Sequence, residues 1–147
     1  MASPLPRFSG LRQPESIILD AWQKSNAPTG AAFVYNVPIG KGTEADTAMP
    51  AHLKAMHYRN SQRKVDAIMQ AGALTTIIEV KERAQLGSVG QLLGYQHLYE
   101  QEHPGSGSPD MLLLTARLSP GVKEVAERYG IKVVVVPADF SSVTTAV

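Results

Sequence analysis

The 147-residue sequence predicts a single α/β domain, and three observations carry that reading. Its apolar and turn signals follow the order α-β-β-β-α-β-α-β, the alternation expected when helices pack on a sheet. Two apolar-rich runs, Met111 to Thr115 and Ile131 to Val136, have the length and composition of buried strands, and a helical stretch separates them. The chain is also long enough to bury most of its apolar surface in one core without staples.

The elements follow in order. Residues 1–14 contain Pro4, Pro6 and Pro14 with little apolar periodicity and read as an extended arm preceding a domain over 15–147. Alone, the arm has nothing to pack against, so it lies either on a neighbouring subunit, as in a homo-oligomer or larger assembly, or across its own domain. Glu15 to Trp22 reads as the first helix, ending before Pro28-Thr29-Gly30, with Trp22 assigned to the core. Ala31 to Ile39 is the first strand. Lys41 to Asn60 reads as a long loop with a short helix over Ala51 to His57.

Arg63 to Lys81 forms a β-hairpin turning at Ala71-Gly72. Ser88 to His103 is the next helix, with Ser88 and Gln91 in the spacing of a capping box. Pro104 to Pro109 is a loop, and Met111 to Thr115 a strand. A helix follows from Ser119-Pro120 through Tyr129, stopped by Gly130, and Ile131 to Val136 is the last strand.

Composition narrows the function. With no cysteine there is neither a disulfide nor a thiolate metal site. No apolar run approaches the ~18 residues of a membrane span, and the N-terminus lacks the apolar core of a signal peptide. A soluble cytoplasmic protein, or one carried in a virion, is expected, with no membrane partner. Fourteen basic and 13 acidic residues leave a net charge of +1, too balanced for coating nucleic acid by charge alone.

The hairpin carries the chemistry. Strands do not bury charge unless it is paired or metal-bound, because desolvation costs several kcal/mol. A turn at Ala71-Gly72 pairs Gln70 with Ala73 and sets Asp66 opposite Ile77. Strand alternation then gathers Asp66, Glu79 and Lys81 on one face. A three-residue loop would send Asp66 to the other face.

Two adjacent carboxylates repel, and a divalent cation relieves that repulsion while acting as a Lewis acid. Oxygen ligands favour Mg2+ or Mn2+. Asp66 and Glu79 would hold the metal, with the Val80 carbonyl as a further oxygen. Lys81 would assist the attacking water or stabilise charge on a phosphate. Arg59, Arg63 and Lys64 before Asp66, and Lys81 and Arg83 after, make either a basic rim for a phosphodiester or solvated strand ends.

Gln91 and Tyr95, four apart, share a helix face that can turn toward the acids. His52, His57, His97 and His103 lack the spacing of a metal pair and read as non-catalytic. No Ser/His/Asp motif or phosphate-binding Gly-x-x-x-x-Gly-Lys loop is present.

Val65-Asp66, Ile78-Glu79-Val80-Lys81 and Gly90-Gln91-Leu92-Leu93-Gly94-Tyr95, in that order, resemble the PD-(D/E)XK nuclease superfamily, and more closely its RecB-like branch. The resemblance covers about residues 15–137. It implies a restriction-endonuclease-like mixed sheet flanked by helices, and catalysis by Asp66, Glu79, Lys81 and Gln91. Arg63, Lys64, Arg83 and Tyr95 would bind substrate. Val65 stands where the superfamily name has proline. The acid that many members place on the first helix would be Asp20, with Glu15 second, completing a metal set of Asp66, Glu79, Val80 and Asp20.

Two functions follow. One is a metal-dependent DNA nuclease. The other is a non-catalytic assembly protein, such as a phage virion or head-tail component, motivated by the arm, the weak net charge and the absence of a separate DNA-binding domain.

Overall fold

Five strands with alternating apolar side chains build one mixed sheet, and helices cover both its faces in the computed structural model, which describes residues 4–45, 48–141 and 143. Met1 to Ser3 of the arm and most of the last six residues of the domain lie outside that set. The strands are β1 (Ala32–Ile39), β2 (Arg63–Ala71), β3 (Leu74–Ala84), β4 (Asp110–Leu118) and β5 (Ile131–Val135), side by side in that order.

β1, β2 and β3 are antiparallel neighbours, whereas β3, β4 and β5 run parallel. Parallel neighbours need crossovers. Here α3 (Leu86–Glu102) and α4 (Val122–Arg128) supply them. The helix α1 (Gln13–Asn26) precedes the sheet, and α2 (Ala51–Ser61) bridges β1 to β2 without burying a single residue. The expected element order and sheet architecture are both found, with α2 added.

Alternation divides the core in two. On one face Ile77, Leu113 and Ile131 pack with Val89 and Leu92 of α3 and Val122 and Ala126 of α4. On the other, Ile78, Val80, Leu112 and Leu114 pack with Ile18, Leu19 and Trp22 of α1. Trp22 is core, as expected.

Leu113 is fully buried and pairs with Glu79 on one side and Val133 on the other. Leu113→Ala is expected to cost roughly 2–5 kcal/mol, measured by chemical denaturation, because packing from both sides prevents collapse of the cavity.

Several boundaries move for physical reasons. α1 starts at Gln13, two residues early, because Pro14 sits in a first turn whose N–H groups need no partner. α2 runs to Ser61, a full helix where a loop with a shorter helix was expected. α3 starts at Leu86, so Ser88 is already inside the helix, its N–H donating to the Gln85 carbonyl (3.0 Å); Gln85, not Ser88, is the cap, and no side chain caps this end. The Ser88–Gln91 capping box is therefore not formed. α4 begins at Val122, after Gly121 at φ +81°.

From Phe8 onward the arm lies across its own domain. Phe8 packs on Tyr35 with ring centroids 4.8 Å apart, its N–H donates to Ser16 Oγ (3.2 Å), and Phe8 and Leu11 join the α1 side of the core. Gly10 abuts the Asn36 side chain so closely that a Cβ would overlap it.

Candidate active site

The hairpin turns one residue later than the expected Ala71-Gly72. Ala71 pairs with Leu74, leaving Gly72 and Ala73 as the two-residue loop. Gly72 has φ +60° while Ala73 does not enter the left-handed region, as a type II′ turn requires. The loop still has two residues, so the parity of the argument holds. The register moves by two, however, and Asp66 comes level with Glu79 rather than Ile77.

At that level the sheet forks. The β2–β3 ladder ends at Ala67↔Ile78, while β3 stays paired with β4 to Ala84↔Leu118 and β2 stays with β1 to Arg63↔Ile39. Val80 would lose its hydrogen-bond partner at the fork, and its N–H instead donates to Asp66 Oδ2 (2.8 Å). Val65 packs on the α3 side and Ala67 on the α1 side, so the strict alternation of β2 breaks just before Asp66. Across from this point Asn36 in β1 adopts φ +53°, a conformation asparagine tolerates better than most residues.

Glu79 is only 2% exposed. Its Oε1 lies 3.3 Å from Lys81 Nζ, and its Oε2 is buried with no hydrogen-bond partner. Burial foremost, and then the neighbouring Asp66, push the Glu79 carboxyl up to about 8, which Lys81 opposes without overcoming. Asp66 is raised too, chiefly by burial, against the lowering effect of the Val80 N–H. Burial thus favours the uncharged form of both acids.

Tyr95 of α3, 5% exposed, is pushed up to about 12 by burial and then by Glu79 and Asp66, with Arg63 pulling the other way. Gln91, Tyr95 and Arg63 line a cavity of about 320 Å³, with Gly90 and Gly94 beside them.

The first-helix acids separate clearly. Asp20 is engaged by Lys24, four residues on (2.9 Å). Glu15 is buried, and its charge is felt at Asp66. Arg12 clamps Glu15 Oε1 through Nε (2.9 Å) and a second nitrogen (2.7 Å), while Glu15 Oε2 has no partner. The fold thus brings Glu15, the second choice, toward the acids. Arg12 is the residue that sequence reading passed over; its three-residue spacing from Glu15 was the available signal.

Arg63 faces the α3 side, as Val65 does, and Lys64, by alternation, the other. Arg83 is exposed two residues beyond Lys81. His103 stacks on Tyr99 (4.0 Å), and His52, His57 and His97 are exposed. Among the described residues no three His, Asp or Glu side chains converge as a metal cluster, and Asp66 and Glu79 are the two acids that meet at the fork. No helix of the described residues is long and apolar enough to cross a membrane.

Comparison with solved structures places this architecture. The chain is similar to a repair endonuclease from Pyrococcus abyssi at 17% identity and a TM-score of 0.53, over 86% of this chain and 48% of that one. It is also similar to AF1548, a protein of unknown function, at 16% identity and a TM-score of 0.46, over 71% and 48%. The chain spans about half the length of each. No family model matches the sequence, and no curated protein matches it. With its five-stranded mixed sheet, crossover helices and element order, the fold is restriction-endonuclease-like.

Proposed function

We propose that this chain is a divalent-metal-dependent DNA nuclease acting from Asp66, Glu79 and Lys81, with Gln91 and Tyr95 on the adjoining helix. The observation that carries the reading is the fork itself. Two carboxylates meet in a buried cleft where burial raises both, and one oxygen of Glu79 is left without a donor. This donor set fits a hard cation, which satisfies the orphan oxygen and removes the repulsion.

Asp66 and Glu79 would hold Mg2+ or Mn2+, with the Val80 carbonyl as a third oxygen and Glu15 nearby in place of Asp20. The metal supplies Lewis acidity toward a phosphodiester when bound. Lys81, tethered by Glu79 and 37% exposed, stabilises charge growing on the phosphoryl oxygens. Gln91 orients the attacked group from the α3 wall, and Arg63 in the same cavity binds a flanking phosphate. The ordered motif with Gln91 and Tyr95 supports membership of the RecB-like branch of the superfamily.

The test is cleavage of linear, branched and single-stranded DNA with Mg2+, Mn2+ or EDTA. Wild type is expected to cut with metal, and Asp66→Asn is expected to lose cutting while keeping its circular dichroism. Equal inertness of the two proteins on every substrate overturns the reading.

A further inference from the structure

A second, larger cavity of about 780 Å³ adjoins the active-site cavity, and Arg63 and Leu98 belong to the walls of both. Lys41, Tyr58, Gln62 and Gln101 also line it. Its floor continues into the bare backbone of Gly90 and Gly94, where an added Cβ would meet nothing within 4 Å.

The outer wall is α2, whose last turn is fastened to the chain before it. Ser61 Oγ accepts the Thr43 N–H (2.6 Å) and donates to the Tyr58 carbonyl (2.9 Å), Gly42 packs directly on that same carbonyl, and Gln62 Nε2 donates to the Gly40 carbonyl (2.9 Å). The helix contributes nothing to the core, so packing does not explain its presence.

Charge does. Residues 47–65 carry Lys54, Arg59 and Arg63, with Lys64 turned to the other face of the sheet, and none of the chain's 13 acids. Lys54 precedes Tyr58 by one helical turn, is half-buried like it, and so runs along the same side. The acid on this wall, Glu102, is occupied as acceptor of the Gly40 N–H (2.6 Å).

We infer that this groove, from Lys41 and Lys54 through Arg63 to Gln91, is a track for the phosphate backbone of a nucleic-acid strand extending from the cleavage site. The inference rests on the nuclease reading for the site but reads a separate property, affinity away from the chemistry. A polyphosphate matches a basic wall with an open, glycine-floored channel that ends at Tyr95 beside the two acids, and its binding releases counterions.

The test uses the full chain and the double charge reversal Lys41→Glu/Lys54→Glu, both outside the catalytic set. Binding of a labelled 20-mer in EDTA, read by anisotropy, is expected to weaken about tenfold or more, and the slope of log K against log salt to fall by about one per lost contact. Metal-dependent hydrolysis of bis(p-nitrophenyl) phosphate, too short to reach α2, is expected to be unchanged.

Equal affinity and salt slope for variant and wild type overturn the track while leaving the nuclease reading standing. Weakened DNA binding with no phosphodiester hydrolysis by either protein supports the track and overturns the nuclease reading. A change in mass by light scattering with unchanged DNA affinity assigns the groove to a second copy of the chain and overturns the track.

Discussion

Lys81→Ala is expected to lower kcat for DNA cleavage by roughly 10²–10³-fold, with little change in KM and a fold as stable as wild type. The side chain is 37% exposed and is held at Glu79 by its charge, so truncation removes a cation without opening a cavity. In the proposed mechanism affinity comes from Arg63 and the groove beyond it, whereas Lys81 acts where charge develops during the reaction. Steady-state kinetics on a linear duplex separates the two. A rise in KM at constant kcat would make Lys81 a binding residue, and unchanged kinetics would remove it from the site.

Glu79→Gln is expected to make the metal-free protein more stable than wild type at pH 8, by on the order of 3 kcal/mol, or roughly 5–10 °C in Tm. The sign follows from the protons bound. Glu79 titrates near 8 when folded and near 4.5 when unfolded, so between those values the folded state holds the extra proton. Its contribution is fully present below about pH 4.5, is lost as pH rises through about 8, and is flat above. Asp66, also raised, adds a slope of the same sign.

Glutamine keeps the shape and never ionises, so the difference in Tm between variant and wild type should widen from pH 5 to pH 8. Adding Mg2+ or Mn2+ should reverse the ranking, because the cation favours the ionised pair in wild type and finds one carboxylate fewer in the variant. A pH-independent difference in Tm would mean that Glu79 is not the buried acid described here.

The element order was legible because it rests on apolar runs. Met111 to Thr115 and Ile131 to Val136 have no polar alternative, and the central strands are where they were expected. The face shared by Asp66 and Glu79 was legible through parity, which survives a one-residue shift of a two-residue loop. The shift itself was not, since Ala71-Gly72 and Gly72-Ala73 both offer the glycine that a tight turn needs, and only the tertiary register of β2 decides between them.

The first-helix acid was illegible for a different reason. Asp20 and Glu15 lie on different sides of α1, and which of them turns toward β3 depends on how the helix rolls against Ile78 and Val80. The groove was hidden because sequence reading treats Lys41 to Asn60 as a connection. The run without acids from residue 47 to 65 was the signal, and its meaning needs the position of α2.

The bond from Val80 to Asp66 gives the site a spectroscopic voice. Most amides in a central strand face a neutral carbonyl and are indifferent to pH. This one faces a carboxylate that burial and its charged neighbours perturb. The chemical shift of a single backbone proton therefore follows the charge state of the acid pair, so that one resonance in a ¹⁵N spectrum distinguishes protonated, ionised and cation-loaded forms without any substitution in the site.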